Sequence, residues 1–270
     1  MSTLLLVHAH PDDEAIATGG VMVRAHRDGH RVVLVTCTNG EEGEIYTLDE
    51  AETRPRLGEI RAEELRKAGE VLGVDRIAFL GYRDSGMAGL PSNDREGTFH
   101  RAPLSETASR LAAVVREERP DAVVTYTADG TYGHPDHVKA HRTTLAALDV
   151  LQGEGWSPGA LYLHAIPISS VRAMEERARA AGAPIEEDMR LVGVPDAEVT
   201  TRAHVRDLVA EKMRALECHV SQLDPDGPWR TMAAQIAEAA LGTEHFVLAR
   251  GDGARGDVPG LLPGSSGPVP

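Results

Sequence analysis

Cysteine, lysine, aromatic residues and positive charge are all scarce in these 270 residues. Cys37 and Cys218 make at most one pair, too few for a disulfide framework, which favours a reducing compartment. Lysine occurs only at 67, 139 and 212, and every other cationic side chain is arginine, the mark of a GC-rich genome rather than of any chemistry. Against 42 acidic residues stand 28 basic ones, a formal charge of −14. Such a surface does not neutralise phosphates, and an anionic membrane repels it. No apolar run reaches the ~20 residues of a membrane span. The opening Met-Ser-Thr-Leu-Leu-Leu-Val-His lacks the basic start of a secretion signal. The expectation is a cytoplasmic protein with no nucleic-acid or membrane partner, and no apolar stripe demands an oligomer. At 41% hydrophobic residues the chain has ample material for a core.

Short apolar runs rich in Val, Leu and Ile occupy residues 4–9, 31–38, 75–80, 122–126 and 160–166. Near-continuous runs of this length suit strands buried on both faces. Between them, residues 15–28, 59–72, 104–119 and 138–151 are long enough for crossover helices, with Gly29, Gly73 and Pro120 as stops. The alternation predicts a Rossmann-like, doubly wound, mostly parallel α/β sheet of order 3-2-1-4-5 over residues 1–166. Residues 167–250 read as a smaller C-terminal α+β cap completing the substrate pocket. Its helices are expected over 169–181, 202–220 and 229–241, and its strands over 190–194 and 245–249. Residues 251–270 hold six glycines and four prolines without periodicity, and are expected to form a flexible tail.

Two segments carry chemistry: His8-Ala9-His10-Pro11-Asp12-Asp13-Glu14 after the first strand, and Tyr132-Gly133-His134-Pro135-Asp136-His137 after the fourth. In an open α/β sheet the ligand crevice lies at the carboxyl ends of the strands where their order reverses. With order 3-2-1-4-5, both segments open onto it. Imidazoles and carboxylates converging from two loops suit a divalent metal, and two His with one carboxylate leave a position for water and substrate. The simpler readings stand beside this one. Asp12 or Asp13 can cap the first helix and Asp136 the fourth, and His8 alternates with His10 and so packs on the opposite face. The loop at Glu41-Glu42-Gly43-Glu44 can offer Glu44 to a polar substrate or simply be solvated. Cys37 reads as a buried structural thiol.

At these residues the sequence resembles the PIG-L/LmbE family of zinc-dependent N-deacetylases, whose AHPDDE signature stands at Ala9 to Glu14 and whose HPDH signature stands at His134 to His137. Gly43-Glu44, Arg61, Glu64-Leu65, Arg83-Asp84-Ser85-Gly86-Met87 and Tyr132-Gly133-His134 are similar to the actinobacterial mycothiol branch. The resemblance implies that His10, Asp13 and His137 hold Zn2+, with Fe2+ suited to the same ligands. It implies Asp12 as general base, a cationic His134 oriented by Asp136, and Tyr132 beside the substrate carbonyl. It carries Arg61, Asp84 and Glu44 over as contacts to an amino sugar, and brings His219 or Gln222 toward the site or to a plain helix-end role. The implied reaction is removal of an N-acetyl group from an N-acetylglucosamine-type small molecule, N-acetylglucosaminyl-inositol first. The alternatives are a mycothiol S-conjugate amidase, a deacetylase tailoring a glycosylated natural product, and an inactive sugar-binding protein. The amidase branch tends to carry a lysine soon after HPDDE, where this chain reads Ala15-Ile16-Ala17.

Overall fold

In the computed structural model, residues 1–180, 192–227 and 234–269 are described here. β1 (Thr3–His8), β2 (Arg31–Thr38), β3 (Arg76–Tyr82), β4 (Ala122–Tyr126) and β5 (Ala160–Ala165) pair in parallel in the order 3-2-1-4-5. The reason is visible along β1: Leu4 and Leu6 enter the core on one face, while Leu5 and Val7 enter the core on the other. Both faces being covered, no position in the strand needs to be polar. α2 (Gly19–Arg27), α4 (Leu57–Leu72) and α9 (Val209–Glu217) cover the first face. α5 (Leu104–Glu118) and α7 (Pro135–Gly153) cover the second. β1 lies between β2 and β4, so the strand order reverses there and the loops leaving β1 and β4 diverge over one crevice.

The first expected helix is two. α1 (Asp13–Ala17) stops at Thr18, and α2 starts afresh with the Glu244 carboxylate accepting from Gly20 N at 2.7 Å and Val21 N at 3.0 Å. A buried carboxylate at a helix N-terminus satisfies orphan N–H groups, which makes the break tenable. Short helices α3 (Glu50–Thr53) and α6 (Gly130–Gly133) lie in the loops after β2 and β4.

Beyond residue 166 the sheet continues without a break. β7 (Thr243–Gly251) pairs antiparallel with β5, β6 (Thr201–His204) pairs antiparallel with β7, and β8 (Gly256–Val258) pairs parallel with β6. The start of the expected 202–220 helix is therefore strand: Thr201 and Ala203 face inward, and α9 begins only at Val209. α8 (Ile168–Ala180) forms as expected, and α10 (Ala234–Leu241) accounts for the described part of the 229–241 helix. Of the expected 190–194 strand, Val194 bridges to Pro167, and residues 190 and 191 lie outside the described residues. No helix among the described residues is long and apolar enough to cross a membrane.

Part of the expected flexible tail is packed instead, residues 260–262 being buried. Beyond β8, Leu261 and Leu262 are each 4% exposed and join the same core cluster as Met22 and Val205. Buried Arg24 ties this segment down, donating from Nε to Pro259 O at 3.2 Å and from NH2 to both Asp207 oxygens at 2.7 and 2.9 Å. Gly and Pro density marks this segment as irregular, but Val258 pairs with β6 and Leu261 and Leu262 bury in the core. Leu261→Ala is expected to cost ~2–4 kcal/mol of unfolding free energy in urea titration.

Candidate metal centre

β1 ends at His8, which is buried and turned away from the crevice, with Nδ1 3.2 Å from the Tyr126 hydroxyl and Nε2 2.8 Å from Thr18 Oγ1. The packed reading of His8 therefore fits the structure. The next two residues swing His10 into the crevice, and its backbone N–H donates to Asp13 Oδ2 at 2.9 Å. β4 ends at Tyr126, whose hydroxyl donates to Asp13 Oδ2 at 2.7 Å and accepts from Ala9 N at 2.8 Å. One tyrosine thus fixes the Asp13 carboxylate and the neighbouring strand end together. After β4, Asp129 accepts from Thr131 N at 2.8 Å and turns the chain so that α7 opens with His134 as its N-cap. Pro135 starts that helix, and His137 on its first turn stacks on Tyr126 at 4.2 Å.

The two loops meet. His137 Nε2 lies 3.3 Å from His10 Nδ1, Asp13 Oδ1 is 3.4 Å from His137 Nε2, and Asp13 Oδ2 is 3.6 Å from His10 Nδ1. His134 also points in: nitrogens of His10, His134 and His137 lie within 4.8 Å of one another, as do ligand atoms of His10, Asp84 and Asp136. The second group is already committed. Asp136 accepts from Ser85 N at 2.9 Å and Ser85 Oγ at 2.5 Å, and Asp84 accepts from Gly86 N at 2.8 Å and Glu42 N at 3.2 Å. Both carboxylates also face His10 Nε2 at 3.4 Å, on the side away from His137. Carboxylates behind a histidine orient the ring and raise its basicity as a ligand. Two imidazole nitrogens and a carboxylate facing one another at these distances fit a single divalent cation.

Charge follows geometry. Burial alone would lower His10, but Asp84, Asp13 and Asp136 outweigh it and hold His10 well above the usual histidine range. Burial would raise Asp13, yet His137 and His10 keep it well below the usual carboxylate range. Burial lowers His137 to about 4, aided by the His10 charge and opposed by Asp13. Burial pushes Asp12 up to about 6, with Arg61 opposing and Asp13 adding to the rise, although its side chain keeps 28% exposure.

The expectation for His134 needs correction. The Asp136 carboxylate does not touch it; the Asp136 backbone N–H donates to His134 Nδ1 at 3.1 Å, and the carboxylate turns to Ser85 and His10. A ring that accepts at Nδ1 carries its proton on Nε2 and is neutral. Burial, with His10 and His137 adding, lowers His134 to about 2, which agrees. The reason is local: Asp136 sits in the first turn of a helix capped by His134, so its N–H and not its side chain meets the cap.

Tyr132 reaches the cluster, its hydroxyl 3.4 Å from His137 Nε2. Arg61 is buried and bonds Asp12 Oδ2 at 3.0 Å, Pro11 O at 2.6 Å and Gly40 O at 2.7 Å. It clamps the Asp12 loop, and two of its guanidinium nitrogens are spent within the chain. Glu44 stands apart, exposed, its carboxylate taken by the Tyr46 hydroxyl and its carbonyl accepting from Gln222 Nε2 at 2.9 Å. Cys37 is fully buried, and burial raises its thiol well above the usual range. Sequence reading missed Tyr126, Ser85 and the Glu14–His219 pair. Glu14, Ser85 and His219 stood in family-like segments without assigned partners, and Tyr126 is a hydroxyl at the carboxyl end of a central strand.

Asp12 has an unusual backbone. Its φ is 111 and its ψ −28, one of three non-glycine residues with positive φ among those described. Such strain costs ~1–3 kcal/mol and persists only where surrounding contacts enforce it.

Fold and site together define an α/β protein whose β1 and β4 loops build a centre able to hold one divalent metal at a strand-order reversal. The description of the PIG-L family, GlcNAc-PI de-N-acetylase, matches residues 5–148. The chain belongs to that family. It is 41% identical to the 1D-myo-inositol 2-acetamido-2-deoxy-alpha-D-glucopyranoside deacetylase of Thermomonospora curvata, over 94% of this chain and 91% of that one. Its fold is similar to the N,N'-diacetylchitobiose deacetylase of Pyrococcus horikoshii, with a TM-score of 0.61 and 21% identity over 92% of this chain and 83% of that one. It is similar as well to GalB, the 4-carboxy-2-hydroxymuconate hydratase of Pseudomonas putida, with a TM-score of 0.60 and 21% identity over 95% of this chain and 99% of that one. Since a deacetylase and a hydratase share this architecture, fold alone does not assign the reaction.

Proposed function

We propose that this protein is a metal-dependent hydrolase that removes the N-acetyl group of N-acetylglucosaminyl-inositol. The observation that carries this reading is the 41% identity to an inositol-glucosaminide deacetylase along 94% of the chain. His10, Asp13 and His137 would hold the metal, Zn2+ or Fe2+. His134 is left out of the ligand set because its Nδ1 already accepts from Asp136 N, which leaves the Nε2 proton for substrate. The bound cation supplies a water of lowered pKa and polarisation of the amide carbonyl.

The chain's own groups do the rest. Asp12, raised toward neutrality, keeps enough basicity at pH 7 to take a proton from the attacking water. It can return that proton to the departing amine, so that water adds across the C–N bond and yields acetate and free amine. His134 offers Nε2–H, and Tyr132 its hydroxyl, to the carbonyl oxygen as negative charge grows there. A neutral donor suits this task, because it stabilises the developing charge without an ionic partner to desolvate. Asp84 and Asp136 keep the His10 ring in place. Arg61 holds the Asp12 carboxylate. The exposed side of the centre is formed by Asp12 and Asp13, with side chains 28% and 14% exposed, and the substrate amide would approach there. A cytoplasmic location belongs to the same reading, since the substrate is a small soluble glycoside.

Amine release measured on N-acetylglucosaminyl-inositol, N-acetylglucosamine, a mycothiol S-conjugate and an N-acyl glycopeptide, each with and without a chelator, tests the reading. Chelator-sensitive release is expected with the first substrate at the highest kcat/KM. Preferred cleavage of the conjugate makes the protein an amidase, and preference for the glycopeptide makes it a tailoring enzyme. No release from any of the four, with metal bound, leaves a sugar-binding protein.

A further inference from the structure

Asp12 is held from two sides, and the second has no role in the chemistry above. On the first, Arg61 grips the carboxylate. On the second, the Asp12 backbone N–H donates to Glu14 Oε2 at 2.9 Å. Glu14 is 0% exposed, and its other oxygen is 2.6 Å from His219 Nε2, a residue also 0% exposed. Burial alone would lower His219, but the Glu14 carboxylate outweighs it and raises the ring above the usual range. Neither Glu14 nor His219 shows a hydrogen bond to His10, Asp13 or His137.

His219 follows α9, and its position is set by Ser221, whose N and Oγ donate to Glu64 at 2.8 and 2.7 Å. Glu64 lies on α4, one turn after Arg61. The contacts close on themselves: α4 holds the Asp12 carboxylate through Arg61, and holds the Asp12 backbone through Glu64, Ser221, His219 and Glu14. A residue at φ 111 keeps that conformation only where surrounding contacts enforce it, and here they reach both its backbone and its side chain. A fully buried carboxylate shared between a strained N–H and a histidine supplies the backbone half.

We infer that Glu14 and His219 are positioning residues that fix the backbone of Asp12 so that its carboxylate stays aimed as a general base. This rests on the hydrolase reading given above. The plainer role for Glu14, capping a five-residue helix, concerns stability alone.

The test uses the metal-loaded enzyme carrying Glu14→Ala, Glu14→Gln, His219→Ala, the double alanine variant or Asp12→Ala. Metal content and kcat and KM are read for each, and exchange of the Asp12 amide proton is read in the metal-free protein. Glu14→Ala and His219→Ala are expected to lower kcat by ~10- to 100-fold with KM within about twofold and metal content unchanged. Both should speed exchange of the Asp12 amide. Glu14→Gln should keep most of kcat. Its amide oxygen can accept from Asp12 N–H while its NH2 faces His219, whose Nδ1 has no partner among the described residues and so can take the proton. The double variant should lose no more than Glu14→Ala, because both act through one link. Should Glu14→Ala fail to fold, His219→Ala and Glu14→Gln carry the same comparison. Kcat within about twofold of the parent in both alanine variants, a loss confined to KM, additive losses, or equal damage from Gln and Ala at position 14 each overturns the inference. Full turnover in Asp12→Ala brings down the hydrolase roles themselves; an inactive Asp12→Ala beside normal Glu14 and His219 variants brings down only the positioning.

Discussion

Asp12→Ala is expected to lower kcat by ~10²- to 10⁴-fold while metal content stays at the level of the parent. The two halves of that result come from separate observations. Asp12 is adjacent to Asp13 but not equivalent to it: Asp13 faces both His10 and His137, whereas Asp12 faces Arg61 and the exposed side of the centre. Removing Asp12 leaves His10, Asp13 and His137 and their Tyr126, Asp84 and Asp136 supports in place. On the proposed roles what goes is the proton acceptor, and His134, whose Nδ1 accepts from Asp136 N and which burial keeps neutral, does not replace it. KM is expected to change little. Metal analysis of the purified variant beside steady-state kinetics checks the pair of outcomes. Turnover near that of the parent would remove Asp12 from the mechanism.

His137→Ala should fail in the opposite way. Outer partners of a metal ligand commonly contribute 10- to 100-fold in affinity, so losing a ligand should cost on the order of 100-fold or more. His137 also stacks on Tyr126 at 4.2 Å, and Tyr126 holds Asp13. On the proposed ligand set, its removal therefore loosens a second ligand as well as deleting one. The variant should purify with little metal and should show amine release below about 1% of the parent at ordinary metal concentrations. Normal metal content would point to the His10, His134 and Asp13 donors as sufficient and would sink this ligand set.

Much of this was legible in the sequence, for identifiable reasons. β1, β2 and β4 are buried on both faces, and burial of that kind leaves an unbroken apolar run with little room for another reading. The two signature segments stand at strand ends, where topology already converges. What stayed hidden depends on partners far along the chain. β6 has four residues of mixed polarity and exists because β7 and β8 pair with it. The break between α1 and α2 rests on Glu244, more than 220 residues away. His219 meets Glu14 across 205 positions, and no local pattern announces it. Asp136 is the instructive case: the family resemblance implied a charged His134 oriented by it, while in the fold only its N–H makes that contact and the carboxylate belongs to Ser85, 51 positions earlier.

His10 and His137 are 127 positions apart and meet only because β1 and β4 lie side by side. In an unfolded chain, bringing two such residues together costs about 4 kcal/mol of closure entropy. The folded sheet has already made that closure, so a cation binds the native state and has no comparable site in the denatured one. Ligand and fold are then thermodynamically linked: each tenfold excess of metal over its Kd deepens the native basin by about 1.4 kcal/mol. On the proposed ligand set, the centre that cleaves amides is at the same time a clasp across the two halves of the parallel sheet, and metal supply in the cell becomes a determinant of how long the protein survives there.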